Sequence, residues 1–238
     1  MLQLLAASEA TDRKDTSVSL WWYKPKGGEM KIIIFGASGM IGQRLLSEAV
    51  SRGHEITAVA RDPSKIRPNG KKLTVKSGDV LNPKQIASLI EGNDVVINAT
   101  SPGSEVNLVV STAESLITSL KDKKNVRLLI VGGAGSLEIQ PGVQLVDSSM
   151  FPQQYKEIAL AHRNALGVYR SSKINWTYLS PPIIIEPGQR SGHYRVGGDQ
   201  LLKNEKGESK ISAEDYAVAM LDEIEKPKHE RTRFTVAY

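Results

Sequence analysis

From residue 31 onward, short runs of Val and Ile alternate with longer stretches in which apolar residues recur every three or four positions. Runs of that length suit strands buried on both faces, and the longer spacing suits helices with one apolar face. The pattern predicts strands at 31–35, 55–60, 72–76, 94–98, 126–131, 175–179 and 233–236. It predicts helices at 40–52, 83–91, 105–121, 152–171 and 213–225. Ile41, Leu45 and Ala49 line one face of the first helix, and Gly53 closes it. Strands joined by crossover helices build an α/β fold with a doubly wound, mostly parallel sheet.

Two segments break the alternation. Residues 1–29 mix Ser, Thr, Asp and Lys, then give Trp21-Trp22-Tyr23 and a Pro/Gly stretch before the pattern starts abruptly at Met30. Met30 reads as the natural start. Residues 1–29 are then an N-terminal extension: a leader, or an arm whose tryptophans cover apolar surface on this or another subunit. Residues 30–238 are expected to form a single domain. Within it, 181–211 is rich in Gly and Pro and is expected to form a small C-terminal cap over the carboxyl ends of the strands, where a substrate is selected.

A length of 238 residues and 40% hydrophobic content fit one domain with a large core. The absence of cysteine removes disulfides, thiolate nucleophiles and Cys-based zinc sites, and no metal site is expected. The net charge of +5 is spread without blocks, basic helix or aromatic–basic alternation, so nucleic acid is not an expected partner. No stretch reaches the roughly twenty apolar residues that cross a bilayer. Residues 1–7 are apolar but have no basic leader. A cytoplasmic protein acting on a small molecule is expected; oligomeric state is not legible.

The segment with most chemical content is Gly36-Ala37-Ser38-Gly39-Met40-Ile41-Gly42, between the first strand and the first helix. A diphosphate needs backbone N–H groups at a helix N-terminus, and glycines where a Cβ would block the turn, the ligand or helix–sheet contact. Gly36, Gly39 and Gly42 meet those demands with the spacing GxxGxxG, not GxGxxG. The context points to a Rossmann-type dinucleotide-binding domain. At the end of the second strand, where an acid accepts from the 2′-hydroxyl of NAD, stands Arg61, suited to a 2′-phosphate, with Lys65 or Arg44 adding charge. NADP(H) is therefore favoured, while the neighbouring Asp62 keeps NAD(H) open.

Ile34-Phe35-Gly36-Ala37-Ser38-Gly39-Met40-Ile41-Gly42 resembles the atypical branch of the short-chain dehydrogenase/reductase superfamily. Further landmarks follow in order: Arg61-Asp62-Pro63-Ser64-Lys65, Gly78-Asp79-Val80, Asn98-Ala99-Thr100 and Ser180-Pro181-Pro182. Together they are most similar to the small NAD(P)H-binding reductases that include biliverdin-IXβ/flavin reductase, and to regulator-like NADP binders. The resemblance implies that Asp79 and Val80 flank adenine, that Ala99 and Thr100 line the inner ribose, and that Pro181, Pro182 and Ile183 form an apolar wall beside the nicotinamide.

The resemblance also implies a Tyr and a Lys four residues apart on one helix, with a Ser after the fifth strand. Tyr169 and Lys173 match the spacing but lie too near the strand that follows. Lys156 is better placed, yet four residues before it stands Pro152, which cannot donate a proton. Lys156 is left to hold ribose, with Tyr155 as a substitute acid. Ser136, after Gly132-Gly133-Ala134-Gly135, matches the family serine and either bonds a substrate carbonyl or serves a turn. Glycines 132, 133 and 135 are expected to admit nicotinamide or substrate. Asp147, His162 and His193 are unplaced candidate acids.

A hydride donor without a protein acid suits flavin-like, quinone-like or other conjugated acceptors. The expected function is an NAD(P)H-dependent reductase. The alternative is a non-catalytic NADP(H) sensor; a nucleotide-sugar epimerase or dehydratase is disfavoured by length and by Pro152. Deleting residues 1–29 tests the reading of the extension: a leader leaves melting temperature and oligomeric mass unchanged, whereas an arm lowers one or both.

Overall fold

The computed structural model describes residues 28–66, 70–103, 105–149 and 151–238. Up to residue 27, the N-terminal segment of the leader-or-arm reading lies outside the described residues. The predicted strands form as β1 (Lys31–Phe35), β2 (Glu55–Ala60), β3 (Leu73–Ser77), β4 (Val95–Asn98) and β5 (Arg127–Val131). A small antiparallel pair, β6 (Glu138–Gln140) and β7 (Val143–Gln144), follows, and then β8 (Asn175–Ser180). Three short strands that the periodicity does not reveal come next: β9 (Ile184–Glu186), β10 (Arg195–Gly197) and β11 (Lys210–Ser212). β12 (Thr232–Ala237) ends the fold.

The main sheet has the order β10-β12-β8-β5-β4-β1-β2-β3, parallel throughout except for β10, which pairs antiparallel with β12. Helices α1 (Met40–Ser51) and α5 (Ala213–Glu225) pack together on one face. On the other lie α2 (Pro83–Leu89), α3 (Leu108–Leu120) and α4 (Lys156–Ser171). The strands bury both faces, as continuous apolar runs require. Ile32 and Ile34 point into the α1/α5 core with Leu45, Ala49 and Leu221, while Ile33 and Phe35 point into the α3/α4 core with Leu116, Leu166 and Trp176. Strand order reverses between β1 and β4, which opens a crevice at their carboxyl ends, the place where such sheets bind ligands.

The predicted helix 152–171 begins its α-helical turns only at Lys156, after a 3₁₀ turn over Gln153–Tyr155. The segment 181–211 covers the flank of the fold. β9 pairs with β11, and β10 extends the sheet edge. Between them Gly188 N–H donates to Glu214 (2.7 Å), Ser191 Oγ and Gly192 N–H to Asp215 (2.5 and 2.7 Å), and Tyr194 Oη to Asp222 (2.5 Å). Residues 188–194 are thus strapped along α5 by three successive carboxylates.

Arg190 from this strap reaches α1, giving two 2.8 Å bonds to Glu48. Arg52, 13% exposed, holds Glu48 and Asp222 at 2.8 Å and Glu225 at 3.0 Å, joining the two helices. Burial raises the pKa of the Glu48 carboxyl, but bonds from Arg190 and Arg52 outweigh it and bring the group below the ordinary glutamate value. Asp215 behaves likewise: burial is overcome by donors from Ser191, Gly192 and Tyr238. Among the described residues, Arg52→Ala leaves Glu48 with Arg190 alone and Glu225 with only its 3.2 Å contact to His54, and is expected to cost about 2 kcal/mol in urea denaturation. Because both carboxyls have lowered folded pKa values, their stabilisation is fully present above about 4.5 for Glu48 and 3.8 for Asp215 and is lost as pH falls through the lower folded values. Melting temperature should therefore drop below that window, and less steeply in Glu48→Gln.

Candidate functional site

β1 ends at Phe35 and the chain turns at Gly36 with φ +79°, a conformation that L side chains rarely adopt. A Cβ on Gly36 would lie 2.4 Å from the Ala99 carbonyl oxygen, and one on Gly42 would lie 2.1 Å from the Gly36 carbonyl oxygen. Gly36 and Ala37 donate to Val59 O at 3.0 and 3.2 Å, and Gly39 to Gly36 O at 3.0 Å. The amides of Ser38, Met40, Ile41 and Gly42 have no partner among the described residues. Helices α2 and α5 are capped by the side chains of Asn82 and Ser212, whereas α1, like α3, has no side-chain cap among the described residues and no acid in its first turn. Free N–H groups and the positive helix end form an anion cradle, seated by a close backbone approach that a side chain at either glycine would block, and this fits a diphosphate.

The cradle opens into a cavity of about 220 Å³ across the carboxyl ends of the strands. At one end are Arg61, Asp79 and Val80, from the exits of β2 and β3; in the middle are Gly36, Ser38, Gly39, Asn98, Ala99 and Thr100. The other end runs between β5, α3 and α4, to Thr112, His162, Tyr169 and Tyr178. Arg61 is exposed, and its guanidinium has no partner among the described residues. Asp62 is occupied: it accepts from Ser64 N–H (3.1 Å) and Oγ (2.6 Å), with Lys65 Nζ at 3.5 Å. Arg44 is paired with Glu214 at 3.0 Å. Asp79 accepts from Leu81 N–H at 3.0 Å, and Asn98 Oδ1 from Thr100 N–H and Oγ1 at 3.2 and 2.7 Å.

Of the loop residues, Ala37 is buried beneath the cradle, Met40 is 39% exposed, and Ile41 packs against the α1/α5 core. The expected catalytic residues do not border the cavity. Ser136 is buried and accepts from Arg233 Nη1 at 3.2 Å, so its hydroxyl is committed to the β12 side. Tyr155 is 56% exposed on the 3₁₀ turn. Lys156 is half-buried at the start of α4, with no partner among the described residues. Pro181 and Pro182 are buried and Ile183 is exposed, all outside the cavity wall. Asp147 pairs with Arg163 at 3.0 Å, and His193 is exposed on the strap. The reading of the three glycines after β5 is corrected. A Cβ on Gly132, Gly133 or Gly135 would meet Tyr178, His162 or Ala159 at 2.0, 2.9 and 2.7 Å. These glycines let β8 and α4 approach β5; protein fills the space that was expected to admit a ligand.

The inner end of the cavity is what sequence reasoning missed. Thr112 and Tyr178 are not singled out by it, Tyr169 is set aside with Lys173, and His162 is unplaced. The signal was the helical spacing of His162, Ala165 and Tyr169, which puts a histidine in the apolar stripe of α4. Burial lowers the His162 imidazole to about 4 and raises the Tyr169 and Tyr178 phenols well above the ordinary tyrosine value. Among the described residues no cluster of His, Asp or Glu could hold a metal ion, and no helix is long and apolar enough to cross a membrane.

A family model described as NAD(P)H-binding matches residues 36–227. The uncharacterized protein YwnB of Bacillus subtilis is 42% identical over 213 residues, 87% of this chain and 98% of that protein. A Bacteroides thetaiotaomicron structure provisionally named an epimerase is 40% identical with a TM-score of 0.83, covering 88% of this chain and 97% of that one. A Streptococcus pneumoniae structure provisionally named an NADH-flavin reductase is 32% identical with a TM-score of 0.77, covering 87% and 99%.

The buried imidazole has a measurable consequence. With a folded pKa of about 4 against an ordinary 6.5, the unfolded chain binds the proton first, so His162 lowers stability as pH falls from about 6.5 to about 4. Nitrogen-15 NMR should show the His162 ring neutral and non-titrating at pH 5, a signal absent from His162→Phe.

Proposed function

The chain belongs to the NAD(P)H-binding family, as a Rossmann protein of the atypical short-chain dehydrogenase/reductase type, and from that premise we propose that it is an NADPH-dependent reductase of conjugated, flavin-like or quinone-like acceptors. The observation that carries this reading is the row of amides over Gly36 and Gly42 that, like the Arg61 guanidinium in the same cavity, have no partner among the described residues. The amides of Ser38, Met40, Ile41 and Gly42 would hold the diphosphate, Arg61 the 2′-phosphate, Asp79 and Val80 the adenine, and Ala99 and Thr100 the inner ribose. The engagement of Asp62 with Ser64 and Lys65 supports NADPH over NADH, because a carboxylate already satisfied is a poor acceptor for a ribose hydroxyl.

When bound, the reduced nicotinamide supplies a hydride. No group bordering the cavity is set to release a proton at neutral pH: His162 is neutral, Tyr169 and Tyr178 hold their protons, and Ser136 and Tyr155 lie elsewhere. This supports acceptors that delocalise the incoming charge and take their proton from solvent. It also weighs against the epimerase chemistry for which the Bacteroides structure is named, since a Tyr–Lys pair is missing at Pro152 and Lys156. The same absence favours one second reading, an NADP(H) sensor without turnover.

NADPH is expected to bind about tenfold or more tightly than NADH, as a charge-assisted contact to phosphate provides, and Arg61→Ala should bring the ratio near unity by calorimetry. Oxidation of NADPH by a flavin or quinone above background supports the reductase. Tight binding with no oxidation across the panel leaves the sensor, and no binding of any pyridine nucleotide removes both.

A further inference from the structure

The cavity is longer than the phosphate cradle requires. Its wall residues follow the sheet order, from Arg61 and Asp79 beside β2 and β3, past Gly36 and Ala99, to Ile130 of β5 and His162 of α4. A dinucleotide whose 2′-phosphate meets Arg61 and whose diphosphate meets the loop therefore has its nicotinamide half directed toward His162.

What His162 offers there follows from Tyr178. The phenol Oη donates its single hydrogen to the His162 carbonyl oxygen at 3.2 Å. With that hydrogen on the carbonyl, the phenol oxygen accepts at its 3.3 Å contact with His162 Nδ1, which assigns the ring hydrogen to Nδ1. A neutral imidazole has one N–H, and burial keeps this one neutral. Nε2 is thus a bare lone pair, with no partner among the described residues, on a residue that borders the cavity. The close fit of Gly133 against the His162 Cβ fixes where that ring sits.

We propose that His162 Nε2 accepts a hydrogen bond from the carboxamide N–H₂ of the nicotinamide, making His162 the residue that sets the orientation of that ring. This rests on the dinucleotide reading above. His162 acts here as an acceptor that positions, and not as an acid. Tyr178 is the residue that fixes its tautomer.

Binding of three ligands, measured by calorimetry, tests the proposal. 2′,5′-ADP ends before the nicotinamide, NADP⁺ carries the carboxamide, and the 3-acetylpyridine analogue of NADP⁺ replaces its N–H₂ with a methyl group. In the wild type the analogue is expected to bind about three- to tenfold more weakly than NADP⁺, the worth of one hydrogen bond. In His162→Ala, and in His162→Phe, which keeps a ring in the space, that difference should vanish while 2′,5′-ADP binds as before. A difference that persists in the folded variants overturns the proposal, as does an equal weakening of 2′,5′-ADP and NADP⁺. Failure of wild-type protein to bind 2′,5′-ADP at all defeats the dinucleotide reading itself, a result distinct from the other two.

Discussion

The carboxyl edge of this sheet depends on how closely the chain passes itself at Gly36. The turn out of β1, the first residues of α1 and the exit of β4 meet within distances that leave no room for a Cβ at Gly36 or Gly42. That contact seats the start of α1 against the sheet and leaves its first amides without acceptors among the described residues. Unmet donors at a positive helix end are costly in isolation, and they are retained where an anion satisfies them. The glycines thus make the helix approach possible, and the approach makes the cradle.

From the cradle the cavity changes character along its length. At the β2 end it presents an exposed guanidinium with no partner among the described residues, suited to a charged phosphate. At the α4 end every polar group is neutral, because burial opposes charge on His162 and the hydroxyls of Tyr169 and Tyr178 keep their protons. A ligand that is anionic at one end and uncharged at the other matches this gradient. Proton release from the wall does not, which is why the chemistry assigned to the site leaves the proton to solvent.

Away from the site, the opposite face is held by charges and not only by the aliphatic core. Arg52 and Arg190 converge on Glu48, while Asp215, Glu214 and Asp222 anchor the 188–194 strap along α5. These bonds tie the chain that leaves β8 to the helix that leads into β12. They make the flank of the fold sensitive to acid, while the inner end of the cavity, between β5, α3 and α4, rests on apolar packing.

The sequence by itself determined what near neighbours decide. The period of apolar residues placed each strand of the parallel sheet and every helix within a few residues, and the glycine spacing, read with the strand before it and the helix after it, marked the cradle. Arg61, read from its place at a strand end, and Asp79, Val80, Ala99 and Thr100, put forward by the family resemblance, all line the one cavity, because strand ends in a parallel sheet converge on one edge. β9, β10 and β11, three residues each, were not, since runs so short carry no period and exist only through their pairing partners. Tertiary structure alone decided what each polar side chain does. Ser136 is turned to an arginine 97 residues away, Asp62 spends its carboxylate on its own turn, and His162 is neutral because α4 is pressed against β5 and β8. Backbone period and turn chemistry are local properties of the chain, whereas hydrogen-bond partners and desolvation are set by residues that meet only when the chain has folded.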